Sequence, residues 1–398
     1  MTAPSTGPAA DTALPVVIVG GGFAGLTVAL RLSREKPRPP IVLVEPRKQF
    51  AFLPLLYELL SGELQPWEVT PSYASLLTCS GIALMEDRVH AVEWQNKELV
   101  MASGQRLAYG HLVLATGSEP NDFGVPGVKE HGLGFHTPGD VAKLRQHLKT
   151  LQRSAKSSEP PALVIVGAGA TGVELACKVA DLAQGRLALH LIEQGDQILP
   201  LARAFNREQA ESRLRRQGVQ CHLNARVESV TPDRVNFRQA ERAITLNHQG
   251  LVWTAGSRPR RPQLCPEIVP SSGRLAVDCA LRSRDLPDCL ILGDLAVHRS
   301  DGDDTTTSWP STAQVAMQQG DAAARTVVAL REGREPDPFQ FNDLGEMLSL
   351  GIGNATLTGL GLTLAGPLAF KMRRLTYLAR QPRWSLGLRS AGAWLLSR

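Results

Sequence analysis

One stretch, VVIVGGGFAGLTVALRLSREKPRPPIVLVE from Val16 to Glu45, constrains this chain more than any other. A β-branched run (Val16–Val19) enters Gly20, Gly22 and Gly25. A helical pattern follows, and a second apolar run, Ile41–Val44, ends on Glu45. Strand, glycine turn, helix, strand and acid is the order a dinucleotide requires. The first glycine permits the tight turn, the second lets backbone approach a pyrophosphate, and the third lets the helix pack on the sheet. Free N–H groups at the helix start attract phosphate. Glu45, 20 residues after the last glycine, is spaced to accept hydrogen bonds from a ribose 2′-OH.

The pattern returns at Ala162 as ALVIVGAGATGVELACKVADLAQGRLALHLIEQ. Gly167, Gly169 and Gly172 stand between strand and helix, and the strand Leu187–Ile192 ends on Glu193. The glycine-to-acid spacing is 25 residues in the first copy and 26 in the second, and the copies begin 147 residues apart. A duplication of that precision predicts two dinucleotides on one chain. Glu193 favours a free 2′-OH over a 2′-phosphate, while Gln194, Arg203 and Arg207 nearby could soften that choice, so NADH and NADPH both stay open. Glu174 is expected in the first turn of the second helix. There it either complements the helix dipole or faces the nicotinamide.

Other pieces are weaker singly. HLVLATGSEPN (His111–Asn121) and LVWTAGSRP (Leu251–Pro259) are both apolar runs into Gly-Ser near a proline, a second sign of duplication. DCLILGDLA (Asp288–Ala296) ends a buried-type strand on Gly293-Asp294, which can offer a carboxylate and an N–H to a cofactor. Ser308–Thr312 leads into AQVAMQQGDAAARTVVAL, with Ser311 or Thr312 as helix cap. Gln314 and Gln318, four apart on one face among Ala313, Ala316 and Met317, could bind a carbonyl-bearing ligand or be amides satisfied at a helix contact. Gln49–Val69 is rich in apolar and aromatic side chains and reads as core-packing helix or as pocket lining. Ile82–Leu84, Val89–Trp94 and Leu99–Met101 are expected to form a small meander. Asp140 onward is helical, with Val141, Leu144, Leu148 and Leu151 on one face, and Arg203–Gly218 is a basic, solvated helix.

The chain has 398 residues, enough for two or three domains. Its six cysteines have no CxxC spacing and read as free thiols of a reducing compartment. No metal site is expected. The first 13 residues lack a basic region and an apolar region, so a disordered leader is expected rather than a secretory signal. The net charge of +5 hides an asymmetry. Residues 347–398 carry seven Lys/Arg and no acid, leaving −2 for the rest. Nucleic acid is not the expected partner of that basic tail, because its apolar content points elsewhere. Met347–Phe370 holds 24 uncharged residues, interrupted by five glycines and Pro367. The alternation of Leu348, Leu350 and Ile352, and of Leu360, Leu362 and Leu364, predicts a hairpin rather than a membrane span. Beyond Pro367, a stripe of Leu368, Met372, Leu375 and Ala379 lies beside Lys371, Arg373, Arg374 and Arg380. Trp384, Leu386, Leu388, Trp394, Leu395 and Leu396 follow. This describes a segment lying in a lipid headgroup region, or a basic helix at a homodimer contact.

Taken in order, GGGFAGL, LPLLYELLSGE (Leu53–Glu63), LVLATGS, VGAGATGVELA, LILGDLA and AQVAMQQG resemble type II NAD(P)H:quinone oxidoreductases from Pro15 onward, and most closely the cyanobacterial and plastid branch associated with demethylphylloquinone reduction in phylloquinone biosynthesis. The resemblance implies an α/β, glutathione-reductase-like fold with two Rossmann-like domains and a C-terminal membrane-associating segment. The implied domains are 14–120 with 268–335 for FAD, 121–267 for NAD(P)H, and 336–398 for the tail. It implies FAD at Gly20, Gly22, Phe23, Ala24, Gly25, Glu45, Pro46, Arg47, Leu53, Val89, Ala115, Thr116, Gly117, Gly293, Asp294, Ala313 and Gln314. It implies NADH or NADPH at Gly167, Gly169, Ala170, Thr171, Gly172, Glu174, Glu193, Ala255 and Gly256. Glu174, Gln314 and Gln318 would be the catalytic set, and the place of work would be the cytoplasmic face of a thylakoid or plasma membrane, in a bacterium of cyanobacterial type. Disulfide reductases are disfavoured because residues 46–70 contain no cysteine. Sulfide:quinone reductases are disfavoured because Cys177 lies in the helix after the second glycine motif. A respiratory-type dehydrogenase serving the bulk quinone pool, a soluble flavin reductase feeding a protein carrier and a non-catalytic nucleotide sensor are the alternatives.

Overall fold

The structure is a computed structural model that describes residues 14–154, 160–268, 273–299, 306–307 and 309–396, with the side chains of Ser154, Thr306, Thr307, Trp384, Leu395 and Leu396 left aside. The leader, part of the polar stretch before Pro160, and Ser308 lie outside the described residues. The chain divides into two compact units, Met1–Lys48 with Ser72–Ser118 and Pro259–Phe341, and Gln49–Pro71 with Glu119–Arg258 and Asn342–Arg398.

The first unit is built on a five-stranded parallel sheet in the order Cys289–Ile291, His111–Leu114, Val16–Val19, Ile41–Val44, Ile82–Met85. Both faces of its centre are covered, so strands such as Val16–Val19 are continuous apolar runs rather than alternating ones. Ile82–Leu84 therefore belongs to this sheet and not to the expected meander. The meander is Val89–Glu93, Glu98–Met101 and Arg106–Ala108, flanked by Gln263–Cys265. The helix Phe23–Leu32 packs against the helix Ala313–Arg331. Gly320 makes that approach possible, since a Cβ there would stand 2.7 Å from the Ala24 carbonyl oxygen.

The second unit repeats the plan with a four-stranded parallel sheet, Gln220–His222, Ala188–Ile192, Ala162–Val166 and Gly250–Trp253. A three-stranded antiparallel sheet, Ala225–Val230, Arg234–Gln239 and Arg242–Asn247, adds Val227, Val235 and Phe237 to its core. The helix Pro138–Ser154 buries Val141, Leu144, Leu148 and Leu151, as the periodicity requires. The tail is not a hairpin but three antiparallel strands, Glu346–Ser349, Ala355–Gly359 and Leu362–Gly366. The first of them falls where the sequence shows only one short alternation. Pro367 then opens the helix Pro367–Ala379, and a second helix covers Trp384–Leu396. Gln49–Pro71 is broken into a 3-10 turn and two short helices and belongs to this unit. Both it and the tail thus lie within the second unit rather than in the domains expected from the sequence.

Candidate functional site

In the first unit the glycine turn is shaped by contact with the neighbouring strand end. Gly20 has φ +101°, and a Cβ on it would lie 2.4 Å from the Ala115 carbonyl oxygen. A Cβ on Gly25 would lie 1.9 Å from the Gly20 carbonyl oxygen. At Gly22, by contrast, a Cβ would meet no protein atom within 4 Å. Gly22 caps the helix Phe23–Leu32 without a side-chain hydrogen bond, and the first turn carries no acid. Unsatisfied N–H groups at such an end fit a pyrophosphate. The Glu45 carboxylate accepts from the Gly21 N–H (2.7 Å), from the Arg47 N–H (3.0 Å) and from Arg47 Nε (2.7 Å). Burial pushes its pKa up, but the Arg47 guanidinium and the backbone donors outweigh this and hold it below the ordinary value. Tyr73 donates to the Gly21 carbonyl (2.7 Å) from the far side of the turn.

Two further strand ends close on this turn. Ala115–Gly117 follows His111–Leu114, and Gly117 has φ +67°. Gly293, at φ +66°, starts a 3-10 turn after Cys289–Ile291. Asp294 accepts from Ser118 Oγ at 2.6 Å, and Gly293 N–H donates to the Gln319 side-chain oxygen at 2.6 Å. Gly20, Gly22, Gly25, Glu45, Ala115–Gly117 and Asp294 thus stand together in one unit, and the cradle fits FAD. Val89 opens the meander strand of this unit. Leu53, named with these residues from the sequence, lies in the second unit.

The second glycine turn copies the first. Gly167 has φ +100°, and a Cβ there would lie 2.8 Å from the Ala255 backbone nitrogen. A Cβ on Gly172 would lie 1.8 Å from the Gly167 carbonyl oxygen, and one on Gly169 would meet nothing within 4 Å. Gly169 is again a cap without a side-chain bond, and Ala170 and Thr171 open the helix there. Glu193 accepts from Ala168 N–H (2.6 Å) and Gly195 N–H (2.8 Å). Gly256 follows Ala255 with φ +68°. Arg203 is tied to Asp343 at 2.7 Å, and Arg207 donates to the carbonyls of Leu199, Pro200 and Ala202.

Glu174 is not in the first turn of its helix. The helix begins at Ala170, so Glu174 is its fifth residue and faces the interior rather than the helix end. Its carboxylate accepts from Ser349 N–H at 2.5 Å and lies 3.6 Å from Arg373 Nη2. Tyr57 interacts with it and with Thr171. Burial pushes the Glu174 pKa up to about 7, with Glu58 adding to the rise and Arg373, Ser349 and Tyr57 opposing it. Arg373 itself overturns an expectation. Instead of lying among basic residues facing headgroups, it is 2% exposed, ion-paired with Glu58, and bonded to the Pro54 carbonyl at 2.7 Å. Farther along the same helix face Lys178 bonds Glu63 (2.5 Å) and the Gly351 carbonyl (3.1 Å), and Asp181 accepts from Ile352 N–H (2.7 Å). The i, i+4, i+7 spacing of Glu174, Lys178 and Asp181 was visible in the sequence; that one face would carry the tail was not.

Gln314 and Gln318 are half-buried in the first two turns of Ala313–Arg331, whose cap is Thr312, accepting from Val315 N–H at 3.2 Å. They belong to the first unit and Glu174 to the second. Sequence reasoning missed Glu58, Arg373, Tyr57, Ser118 and Gln319. Tyr57 and Glu58 stand in LPLLYELLSGE, Ser118 in LVLATGS and Gln319 in AQVAMQQG, but nothing in those motifs sets these residues apart.

The profile of the family described as pyridine nucleotide-disulphide oxidoreductase matches residues 14–320. The chain is 36% identical to the demethylphylloquinone reductase NdbB of Synechocystis sp. over 96% of its length and 95% of the relative's. It is 27% identical to the type II NADH:quinone oxidoreductase Ndh of Mycobacterium tuberculosis, covering 84% and 77%. Its fold is similar to that of NDH2 from Plasmodium falciparum in complex with NADH, with TM-score 0.84, 16% identity, and 96% and 97% of the two chains covered.

Proposed function

The chain belongs to the pyridine nucleotide-disulphide oxidoreductases and, within them, to the type II NAD(P)H:quinone oxidoreductases, and we propose that its acceptor is a membrane-dissolved naphthoquinone of the demethylphylloquinone type. The observation that carries the reading is the duplicated glycine turn, in which Gly22 and Gly169 both leave room beside an uncapped helix end. It is joined to a relative over 95% of whose length the chain aligns.

When bound, FAD supplies the two-electron chemistry that links nicotinamide and quinone. The protein's part is binding, orientation and protons. Gly20–Gly25 and the helix end would hold the FAD pyrophosphate, Glu45 would accept from a ribose hydroxyl, and Asp294, fixed by Ser118, would accept from the ribityl chain. Gly167–Gly172 and Glu193 do the same for NAD(P)H. Gln314 and Gln318 orient quinone carbonyls as donors. Glu174, whose pKa burial raises to about 7, takes up and releases a proton around neutral pH.

The tail supports peripheral attachment to a membrane. No helix among the described residues is long and apolar enough to cross one. Leu368, Leu375 and Leu388 are each more than half exposed, with Lys371 exposed beside them. Apolar side chains with flanking cations bind an anionic interface.

The test is anaerobic stopped-flow. NADH or NADPH should bleach the bound flavin, and a prenylated naphthoquinone should restore its colour. Bleaching without reoxidation by the quinone would defeat the acceptor assignment. Leu375→Glu should weaken sedimentation with anionic vesicles while leaving bleaching intact; unchanged sedimentation would defeat the lipid contact.

A further inference from the structure

The helix Ala313–Arg331 presents two half-buried glutamines and one that is wholly buried. Gln319 has 0% exposure, so it touches neither solvent nor any pocket that solvent can enter. Its Oε1 accepts the Gly293 N–H at 2.6 Å, across 26 residues of sequence. Gly293 sits at φ +66°, where its N–H turns away from the sheet ladder, and a Cβ on it would meet no atom within 4 Å. The next residue is Asp294, held from its other side by Ser118 Oγ at 2.6 Å. One residue past Gln319, Gly320 lets the helix approach Ala24 of the first glycine helix. Gln319 therefore joins three things that the proposed chemistry needs in register: the Gly-Asp turn, the glycine helix and the helix carrying Gln314 and Gln318.

We infer that Gln319 is a positioning residue for the flavin site, holding the Gly293 N–H so that the Asp294 carboxylate keeps one orientation toward the cofactor. The inference rests on the assignment of this unit to FAD. An amide oxygen suits the task because it accepts strongly without charge, and a carboxyl put in its place would be held neutral by full burial and would still offer an acceptor oxygen. Losing it leaves the half-buried Gly293 N–H without its acceptor, which frees the turn to rotate toward another acceptor or toward water.

Three variants test this with purified holoenzyme. Gln319→Met keeps the volume and removes the acceptor; Gln319→Glu keeps an acceptor oxygen; Ser118→Ala loosens Asp294 from the other side. The readouts are FAD dissociation constant by flavin fluorescence, visible circular dichroism of the bound flavin, and melting temperature of the flavin-free protein. Q319M should weaken FAD about tenfold, worth ~1.4 kcal/mol, and change the visible dichroism. Q319E should stay within about threefold of the parent, a fraction of that decade. S118A should resemble Q319M. Lowered melting temperature in Q319M with unchanged FAD affinity and dichroism would overturn the inference and leave a purely structural bond. So would Q319E losing FAD as Q319M does while melting like the parent. If Q319M does not fold, Q319E against S118A decides: parent-like FAD affinity in the first with loss in the second supports it, and loss in both overturns it. Failure of the parent protein itself to bind FAD would instead defeat the assignment of the unit.

Discussion

At Gly20 and at Gly167 the backbone does the same thing, with φ of +101° and +100°, a third glycine whose Cβ would strike the first one's carbonyl, and an acid from the next strand gripping the turn. The helices that follow are put to different use. Phe23–Leu32 has no acidic residue and is buried through Leu26, Val28, Ala29 and Leu32, packed against Ala313–Arg331. Ala170–Ala183 carries Glu174, Lys178 and Asp181 on its inner face, all bonded to the tail or to Gln49–Pro71. An apolar helix closes its unit once and suits a cofactor that stays. A charged inner face instead ties the second helix to the tail and to Gln49–Pro71 through hydrogen bonds.

The sharpest way to break the comparison is to fill the two middle glycines. Gly22→Val and Gly169→Val each set a Cβ where no protein atom lies within 4 Å, so folding should survive. G22V should purify colourless, with FAD weakened at least about 100-fold, or ~2.7 kcal/mol. G169V should purify yellow yet resist bleaching by NADH. If G169V loses flavin and G22V keeps it, the two sites are assigned the wrong way round. The largest cost in stability, as distinct from binding, belongs to the second unit alone. Arg373→Met strands Glu58 without its buried partner and should cost about 3–5 kcal/mol in denaturant unfolding. Glu58→Met with Arg373→Met should recover much of this. No recovery would mean that the pair shapes the site beyond mutual neutralisation.

That contrast also shows what sequence can and cannot carry. The turns were legible because each glycine answers a local steric demand, and spacing encodes it. Thr312 was legible as a cap for the same reason. Glu58 and Arg373 were not, because 315 residues separate them and each looks like an ordinary surface charge in its own helix. Arg373 sits among Lys371, Arg374 and Arg380 in a run that suits a headgroup layer; only packing against Pro54 and Glu58 singles it out. Glu174 lies beyond the first turn because the helix already begins at Ala170, inside the glycine motif rather than after it. Gln319 was passed over because spacing favours Gln314 and Gln318, and burial is what tells it from Gln318.

Glu174 sharpens the comparison through pH. Burial lifts its folded pKa to about 7, from an ordinary value of 4.5. Between those values the folded chain holds a proton the unfolded chain has released, so stability falls as pH rises from about 4.5 to about 7 and is flat outside that window. The shift corresponds to ~3 kcal/mol at most. Glu174→Gln should remove that slope, as read from urea midpoints at pH 5 and pH 7.5. A parent and a variant with parallel pH profiles would show that Glu174 is ionised throughout.

The smallest effect falls on the two acids. Glu45 carries Arg47 as well as a backbone N–H of its turn, whereas among the described residues Glu193 accepts from backbone N–H groups alone, those of Ala168 and Gly195. Arg203 and Arg207, the nearby cations that could attract a 2′-phosphate, are committed to Asp343 and to the carbonyls of Leu199, Pro200 and Ala202. Charge repulsion at Glu193 is therefore not neutralised by a neighbour it bonds. Glu193→Ala should raise kcat/KM for NADPH relative to NADH by roughly tenfold, about 1.4 kcal/mol of differential binding. The loss of the Ala168 bond should lower both rates together and cancel in the ratio. Glu45→Ala, tested alongside, should alter flavin retention and leave the NADPH-to-NADH ratio alone. A ratio that moves with Glu45 and not with Glu193 would reverse the roles given to the two halves.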